Sequence, residues 1–596
     1  MTTVARIRRI LHGMALLVRL LWACSPALTV VGAVAAVARA LAAAVLMLAS
    51  GRLVGALADG RLDQRWLVLT LTALVLQTVL AAVVDVVGVV EQGRATPLLL
   101  ERVSTLASRP HGIEHLEQSD VRQAIDGAVE EINQQYFLGV QSTWQVVGYR
   151  IWGIAALAVL ASWSWWVAAV VLAATLAVNL TWSAYSQQIF EQIFRDRRRR
   201  RARWYRNLLV DQDSAKEVRL FGLTDFGLER FAQSWHVALA DLWQGRRAKQ
   251  RPIVIANVAV LAAYVVALAA LAHDAWTGVI GTATLLAASQ ALMQMEGLGM
   301  LGDMQTMCIR QQALLLDLED LDRRLPAASE VAAPTRPTGK PGAVSLRDVR
   351  FTYPGRTEPT FDRLTLEIEP GSSVAVVGEN GAGKSTLVKL LTGLYRPSSG
   401  RLLVDDVDLA DFDGDAWRAR CAGAFQDHLH LELLARETIT TGDLPALDSD
   451  DRALRALDDA AAGDVMVALP GGLATQLGTS WDDGTELSGG QWQRLAIARG
   501  MMRGDPLLLV LDEPTSALDA ATEHALFEGY ADAARRAGRH GAVTVLVTHR
   551  FSTVAAADLV VVLADGRVSE VGSHAELMAA GGGYAQLYAL QARGYA

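Results

Sequence analysis

Six long apolar stretches lie in the N-terminal half of the chain and restrict its fold more than any other feature. They run over about 27–49, 66–90, 144–162, 165–185, 252–272 and 276–296. A helix of about 20 apolar residues is long enough to cross the hydrocarbon core of a bilayer. Only helices and closed barrels satisfy their backbone groups there. We therefore predict a membrane domain with six helices over residues 25–324.

The loops between these stretches differ in length and indicate the orientation of the domain. Those after the second and fourth stretches are long and helical in periodicity, so we expect the spans to continue as helices into the cytoplasm. A dense run of arginines at 195–206 follows the fourth stretch, and such loops stay on the cytoplasmic side. We interpret the run as a solvated helix face, with binding of acidic lipid or nucleic acid as the alternative. Both termini are then expected in the cytoplasm of a multi-pass plasma-membrane protein.

Residues 1–24 interleave arginines with apolar residues at helical spacing, at Arg6, Arg8, Arg9 and Arg19. A cleaved signal peptide instead has a compact apolar core and a small-residue cleavage site. We therefore predict an amphipathic helix that lies on the membrane surface before the first span.

Charge and cysteine content argue against two classes of protein. The formal net charge is -8, which disfavours a nucleic-acid binder, and no nucleic-acid partner is expected. Cys24, Cys308 and Cys421 are far apart and odd in number. Neither structural disulfides nor a zinc site are therefore expected.

The sequence changes character after a Pro-, Ala- and Thr-rich segment at 325–342, which predicts a linker. From 343 to 596, strand-like apolar runs alternate with helical segments, among them Val374–Val377, Leu507–Leu511 and Val543–Val547. This alternation predicts a largely parallel sheet flanked by helices. The expected fold is an α-helical six-span membrane domain followed by an α/β domain.

A glycine-rich loop between an apolar strand and a helix start carries the clearest chemistry. It consists of Gly378, Glu379, Asn380, Gly381, Ala382, Gly383, Lys384, Ser385 and Thr386. Glycines allow backbone N–H groups to wrap a phosphate chain, and the helix N-terminus adds partial positive charge. Lys384 is expected to neutralise the β- and γ-phosphates of ATP, and Ser385 to ligate Mg²⁺. We therefore predict a P-loop NTPase domain with ATP and Mg²⁺ as its cofactors.

Two carboxylates, Asp512 and Glu513, end the apolar run at 507–511. A buried strand that delivers Asp512 to Mg²⁺ fits the second nucleotide-binding motif of such enzymes. Glu513 follows directly and can align or deprotonate the attacking water. A solvated strand end is the alternative, and the upstream glycine-rich loop argues against it.

A pentapeptide stands between these two motifs and consists of Leu487, Ser488, Gly489, Gly490 and Gln491. With this signature, and with the other motifs in the same order, residues 343–596 resemble the ATP-binding cassette (ABC) family. The resemblance covers the whole C-terminal part of the chain and implies that it is an ATP hydrolase.

The resemblance also implies roles for residues outside these three motifs. Tyr353 would stack on adenine, and Gln426 would sense both Mg²⁺ and the membrane domain. Ser516 and Asp519 would belong to the loop that couples two ATP sites, and His549 would contact the γ-phosphate.

In this family two cassettes dimerise head to tail, and the signature of one binds ATP held by the other. The chain would therefore pair with a second half-transporter, identical or related. The membrane part resembles the exporter type, with coupling helices expected within Ile113–Asp126 and near Ala202–Asp211. Residues 481–486 depart from the acidic stretch common in exporters, so coupling would use Asp482 or Asp483. This variant loosely resembles cassettes tied to peptide or natural-product export.

Polar and methionine side chains within the spans suggest a substrate cavity, because polar groups in a membrane tend to face a cavity or each other. The candidates are Arg39, Gln77, Asp85, Gln290, Met293 and Gln294. Methionine adapts to varied apolar ligands. Our hypothesis is a site for a small amphipathic substrate, such as a peptide, natural product, drug or lipid. Ordinary helix packing is the alternative.

The function expected from the sequence is ATP-driven export across the cell membrane by alternating access of a dimer. An importer with the exporter fold, for example for a siderophore, is one alternative. A non-transporting ATP-dependent membrane regulator is another, and the intact Glu513 and His549 argue against it.

Overall fold

The computed structural model describes residues 3–134, 139–195, 197–212, 214–325, 342–513, 520–548 and 554–594. Three predicted site residues, Ser516, Asp519 and His549, lie outside this part of the chain, as does 326–341 of the predicted linker. The chain divides into two compact units. The helical unit comprises Met1–Ala107 and Gln123–Arg324, and the cassette unit comprises Ser108–Arg122 and Leu325–Ala596.

Long helices make up the helical unit. In chain order the first twelve helices are α1 Thr3–Cys24, α2 Pro26–Ala58, α3 Gln64–Ser108, α4 Glu114–Glu117, α5 Ser119–Gln134, α6 Gln141–Trp163, α7 Trp165–Arg195, α8 Arg197–Val210, α9 Ala215–Leu220, α10 Thr224–Trp276, α11 Thr282–Gln294 and α12 Gly302–Arg324. Of these, α4 lies in the cassette unit.

Five helices among the described residues are long and apolar enough to cross a membrane. They are Pro26–Ala58, Gln64–Ser108, Gln141–Trp163, Trp165–Ser186 and Gln250–Trp276. The sixth predicted span differs from the prediction. The helix that covers it, α11, has only 13 residues, and a 3₁₀ turn at Met295–Leu298 follows it. Glycines lie within this turn at 297, directly after it at 299, and at 302, where α12 begins.

The two longest of these helices extend far beyond the apolar stretches, as the periodicity of the long loops predicts. α3 has 45 residues and α10 has 53, whereas about 20 suffice to span a bilayer. α2 begins sharply, because the Ser25 hydroxyl accepts a hydrogen bond from Leu28 N and Pro26 stands at the first helical position. The short helix α9 begins four residues after Asp211, the end of the predicted second coupling helix.

Small residues allow the membrane helices to approach closely. A Cβ at Gly32 of α2 would lie 2.6 Å from Trp144 Nε1 of α6. A Cβ at Gly51 would lie 2.6 Å from the Ala283 carbonyl oxygen of α11. Contacts of this kind stabilise helix pairs in lipid, where no hydrophobic force drives helices together.

Two sheets form the framework of the cassette unit. The strands are β1 Val344–Phe351, β2 Phe361–Ile368, β3 Ser373–Gly378, β4 Ser399–Val404, β5 Val407–Asp408, β6 Cys421–Ala424, β7 Leu508–Asp512, β8 Val543–Val547, β9 Leu559–Ala564 and β10 Arg567–Gly572. The smaller sheet is antiparallel, in the order β2-β1-β4-β5, and the larger is ordered β10-β9-β3-β8-β7-β6. Except for β10, the strands of the larger sheet are parallel.

Helices cover the larger sheet, and its central strands are buried. The helices are α13 Lys384–Leu391, α14 Gly414–Arg418, α15 Ala435–Thr440, α16 Asp450–Asp459, α17 Gly463–Ala468, α18 Gly489–Gly500, α19 Ala520–Arg539, α20 His574–Ala580 and α21 Gly583–Gly594. Every residue of β7 and β8 is buried, which explains the unbroken apolar runs there. The predicted parallel sheet flanked by helices is therefore present.

The segment 108–122, which contains α4, packs within the cassette unit although it is far away in sequence. Ile113 N donates to the Leu394 carbonyl oxygen at 3.0 Å, and Arg396 N donates to Glu114 Oε1 at 3.0 Å. Ile113 also packs against the main apolar core. The part of this segment from 113 to 122, which includes α4, lies within the range predicted for the first coupling helix.

Candidate functional site

The glycine-rich loop joins the end of β3 to the start of α13. At Gly378, φ is +152° and a Cβ would lie 2.3 Å from the Leu563 carbonyl oxygen. At Gly383, φ is +101° and a Cβ would lie 2.6 Å from the ring of Phe361. Both positions therefore require glycine, for conformation and for space. The loop opens α13, whose free N–H groups favour an anion such as phosphate.

Lys384 lies across this loop. Its Nζ donates to the carbonyl oxygens of Gly378 at 2.9 Å and of Glu379 at 3.1 Å. The side chain is buried, which places a fixed positive charge beside the loop N–H groups. Such a site is suited to a chain of phosphates.

The two carboxylates at the end of β7, Asp512 and Glu513, have different environments. Asp512 is buried, and its Oδ1 has no hydrogen-bond partner among the described residues. Burial raises the pKa of Asp512 above its ordinary value, the Glu513 charge raises it further, and the Ser385 hydroxyl partly opposes this. A buried carboxylate oxygen is costly without a partner, and a bound cation would satisfy this one.

Glu513 adopts a left-handed backbone, with φ at +48°. Its N–H donates to the Val547 carbonyl oxygen at 3.0 Å, and its Oε2 accepts from Gln426 Nε2 at 3.0 Å. A non-glycine residue in this conformation costs on the order of 1–3 kcal/mol, and such strain clusters at functional sites. The turn directs the carboxylate to the side chain of Gln426, which approaches from the end of β6.

The residues present fit Mg²⁺. The Ser385 hydroxyl, the Asp512 carboxylate and the Gln426 amide are oxygen donors, which this small, hard cation prefers. The unpartnered Asp512 Oδ1 supplies the free lone pairs that such an ion needs.

Tyr353 is fixed at one wall of the site. Its hydroxyl lies 2.9 Å from Thr386 Oγ1, and its ring packs edge-on against Phe351 and Tyr395. The Arg356 guanidinium carbon lies 5.8 Å from the centre of the ring. The ring is thus held at one wall of the site, where a planar base can stack on it.

These residues meet around a cavity of about 920 Å³. Of the predicted ATP-site residues, Tyr353, Asn380, Gly381, Gly383, Lys384, Ser385, Thr386, Gln426 and Glu513 line it. Gly378, Glu379, Ala382 and Asp512 belong to the loop and strand that form the site but are not among its lining residues. Arg356, Glu358, Thr360 and Asp565 also line the cavity and were not predicted. They come from turns after β1 and β9, which only the folded chain brings together.

The signature residues do not line this cavity. Ser488 instead caps α18, and its hydroxyl accepts from Gln491 N at 3.3 Å while Ser488 N donates to Gln491 Oε1 at 2.8 Å. This capping box fixes the start of the helix. Ser488 and Gly489 are exposed, and no atom lies within 4 Å of a Cβ built at Gly489. The helix start is thus accessible to a phosphate from outside its own chain.

The predicted cavity residues of the helical unit are not gathered in one place. Arg39 lies over the ring of Tyr149 at 5.5 Å, and Asp85 accepts from Gln145 Nε2 at 2.6 Å. Gln290 accepts from Ser50 of α2 at 3.0 Å. Arg39 and Ser50 are eleven residues apart on α2, which is roughly 16 Å along a helix.

The other three candidates differ in exposure. Gln77 Oε1 is buried and has no hydrogen-bond partner among the described residues, Met293 is 73% exposed, and Gln294 is half-buried. The structure therefore supplies several separate polar points in the helical unit, and among the six candidates Asp85 on α3 and Met293 on α11 are exposed.

Comparison with known proteins gives a family match, curated relatives and a fold match. Residues 361–516 match the family model described as ABC transporter. An ATP-dependent lipid A-core flippase of Thiobacillus denitrificans is 40% identical over 251 residues, which are 42% of this chain and 42% of that protein. The mycobactin import ATP-binding/permease protein IrtB of Mycobacterium bovis is 38% identical over 258 residues, 43% of each chain. The matches thus span less than half of these curated relatives.

A solved structure of a bacterial Atm1-family ABC exporter with ATP bound has a TM-score of 0.72. The match covers 99% of both chains at 24% identity, and it shows that the two proteins share a fold.

Proposed function

We propose that this chain, which carries an ABC transporter domain and has the fold of an ABC exporter, is an ATP-hydrolysing half-transporter that moves an amphipathic substrate across the cell membrane. One observation carries the proposal of hydrolysis. Lys384, Ser385, Asp512 and the Gln426–Glu513 pair converge on one site at the ends of β3 and β7.

In this proposal each residue has a part in the reaction. The base of ATP stacks on Tyr353, while Lys384 and the N–H groups of the loop bind its phosphates. Glu513 Oε2, held by Gln426 at 3.0 Å, accepts a proton from the attacking water. The water oxygen bonds to the γ-phosphorus as the bond to the leaving ADP oxygen breaks. Mg²⁺, held by Ser385, Asp512 and Gln426, would neutralise charge on the β- and γ-phosphates.

A second half-transporter completes the site in this proposal. The signature residues 487–491 do not line the cavity of their own chain, although Ser488 and Gly489 are exposed at a helix start. We infer that they bind the γ-phosphate of ATP held by a partner chain. ATP would then bind the closed dimer more tightly than the open one and drive closure.

The segment 108–122 would transmit this closure to the spans. It is seated in the cassette unit yet continuous in the chain with α3 and α5. Motion of the cassette would thus displace the ends of both helices, which supports alternating access. Both termini and the cassette would lie in the cytoplasm, as the arginine run after the fourth span indicates.

The first experiment measures ATP hydrolysis by the chain alone in lipid nanodiscs, beside Glu513→Gln. We expect the substitution to lower the turnover by at least about a hundredfold, because it removes the base and keeps the shape. ATP-dependent protection against thermal unfolding should persist in this variant, which separates hydrolysis from binding. Equal turnover in both proteins would contradict the assigned role of Glu513. The direction of transport would be measured in inside-out vesicles. ATP-driven uptake of the substrate into these vesicles indicates export from the cell, and ATP-driven efflux indicates import.

A further inference from the structure

The chain leaves α-helical geometry between α11 and α12. Met295–Leu298 form a 3₁₀ turn, and Gly302 has a φ of +59°. The turn packs against the middle of α6, because a Cβ at Gly297 would lie 2.4 Å from the Tyr149 carbonyl oxygen and one at Gly153 would lie 2.8 Å from Leu298 N. The interruption is therefore at the level where α6 is halfway through its predicted span.

Arg150 of α6 forms hydrogen bonds with backbone carbonyl groups at this interruption of the helix. Its guanidinium donates to the carbonyl oxygens of Gly297 at 2.9 Å and Gly299 at 2.8 Å. It also donates to Gln305 Oε1 at 3.0 Å, and Gln305 Oε1 accepts from Leu301 N at 3.1 Å. Non-helical backbone at membrane depth is tolerated only where protein or a water-filled cavity surrounds it. The supporting contacts show that the interruption is a built feature of the fold.

A single carboxylate, Glu296, lies on this turn. It is exposed, and no described side chain forms a hydrogen bond or an ion pair with it. Three methionines near it in the sequence are exposed, with Met293 73% exposed, Met300 36% and Met304 37%. Tyr264 of α10 lies close enough to interact electrostatically with it. An ionisable group inside a membrane domain is costly without a partner, and such groups mark substrate pathways.

The neighbouring positive charges have other contacts. Arg150 is engaged by four oxygens, from Gly297, Gly299, Asn179 and Gln305. Arg39 lies over the ring of Tyr149. Glu296 is thus a carboxylate without an ion-pair partner among the described residues, on an interrupted helix whose exposed methionines lie three, four and eight residues away in the sequence. This combination is complementary to an apolar molecule that carries a positive charge.

We propose that Glu296 is the counter-ion for the cationic group of the transported amphiphile, with Met293, Met300 and Met304 contacting its apolar part. This inference rests on the proposed transport function and narrows the substrate class to lipophilic cations. In transporters, interrupted membrane helices place substrate sites near the middle of the bilayer, and the position of this turn agrees with that arrangement.

The test uses two ions of the same size and shape but opposite charge, tetraphenylphosphonium and tetraphenylborate. Binding of each to the protein in nanodiscs is measured by equilibrium dialysis, with empty nanodiscs subtracted. We expect Glu296→Gln to weaken binding of tetraphenylphosphonium by about tenfold, equivalent to about 1.4 kcal/mol. Binding of tetraphenylborate should stay equal or become tighter, because a negative charge has been removed.

The matched control is Asp303→Asn, which neutralises an exposed carboxylate seven residues away in the first turn of α12. It should leave the binding of both ions unchanged. Thermal unfolding of Glu296→Gln establishes that the variant is folded. Unchanged tetraphenylphosphonium binding in folded Glu296→Gln, equal losses for both ions, or a wild-type preference for tetraphenylborate would overturn the proposal. Binding is measured without ATP, so failure here is distinct from failure of the hydrolysis experiment.

Discussion

Asp512 shows at the scale of one residue how the site depends on its missing partners. Its carboxylate is buried, and one oxygen has no hydrogen-bond partner in the part of the chain that the structure describes, so the folded protein resists its ionisation. The pKa of Asp512 is raised chiefly by burial. The ionised form therefore costs stability at every pH above the raised pKa, and the cost disappears below the unfolded value of about 3.9.

We predict that Asp512→Asn raises the unfolding temperature of the nucleotide-free protein at pH 7. The gain over wild type should shrink as the pH falls through the raised pKa, because wild-type Asp512 then becomes protonated. The same variant should lose Mg²⁺-dependent protection by ATP. Thermal unfolding with and without Mg²⁺ and ATP measures both effects. Asp505→Asn, at an exposed position before β7, is the control and should change neither. A lower unfolding temperature for nucleotide-free Asp512→Asn would contradict this interpretation.

At the scale of one element, the segment 108–122 connects α3 to α5 in the sequence but belongs to the cassette unit in the structure. The Gly112 Cα lies so close to Leu394 that a Cβ would be 2.8 Å from its carbonyl oxygen. His111 Nδ1 lies 3.5 Å from Asp415 Oδ1 and also contacts Arg418. These contacts fix the segment directly before α4.

We predict that Gly112→Ala uncouples ATP hydrolysis from stimulation by the transported substrate. The added methyl group collides with backbone that cannot move away cheaply, so the segment should be displaced from its seat. Basal ATP hydrolysis should persist, whereas its stimulation by a transported amphiphile should fall severalfold. The matched control is Gly127→Ala in α5, where a Cβ meets no atom within 4 Å and helix propensity favours alanine. If the amphiphile stimulated ATP hydrolysis of Gly112→Ala as strongly as that of wild type, the contact between 108–122 and the rest of the cassette unit would not be required for coupling.

The elements differ in how far the sequence predicts them. The loop around Lys384 and the strand before Asp512 are local patterns, since glycine spacing and buried apolar runs specify them directly. The interruption at Met295–Leu298 was not predicted, because the apolar composition continues through it and hydropathy averages over a window. The glycines at 297, 299 and 302 were the available signal. The seat of 108–122 depends on contacts distant in sequence, and no local pattern specifies those.

At the scale of the whole molecule, the two halves of the proposed ATP site lie on separate surfaces of one chain. Lys384 lines the cavity, whereas Ser488 does not. If two copies share each site, a defect in one half can be compensated by a partner with the other half intact.

We predict that two inactive variants, Lys384→Ala and Ser488→Arg, recover ATP hydrolysis when they are produced together. A mixed pair has one composite site with intact Lys384 and intact Ser488, and a second site that lacks both. Turnover of the tagged mixed pair, purified through two different tags, should clearly exceed that of either parent. The double variant Lys384→Ala/Ser488→Arg paired with itself is the control and should stay inactive. Mixed pairs no more active than the parents would indicate that a site is completed within one chain.

The seat of residues 108–122 has a consequence for building hybrid transporters. In this protein Ile113 and Glu114 form hydrogen bonds with the Leu394 carbonyl and the Arg396 N–H. A hybrid in which only 343–596 is exchanged would place Ile113 and Glu114 against a cassette from another protein. The portable module is therefore discontinuous, and it consists of 108–122 together with the C-terminal part. A chimaera that exchanges both parts keeps 108–122 together with the cassette surface that it contacts. A chimaera joined at the linker alone combines 108–122 of one protein with the cassette surface of another.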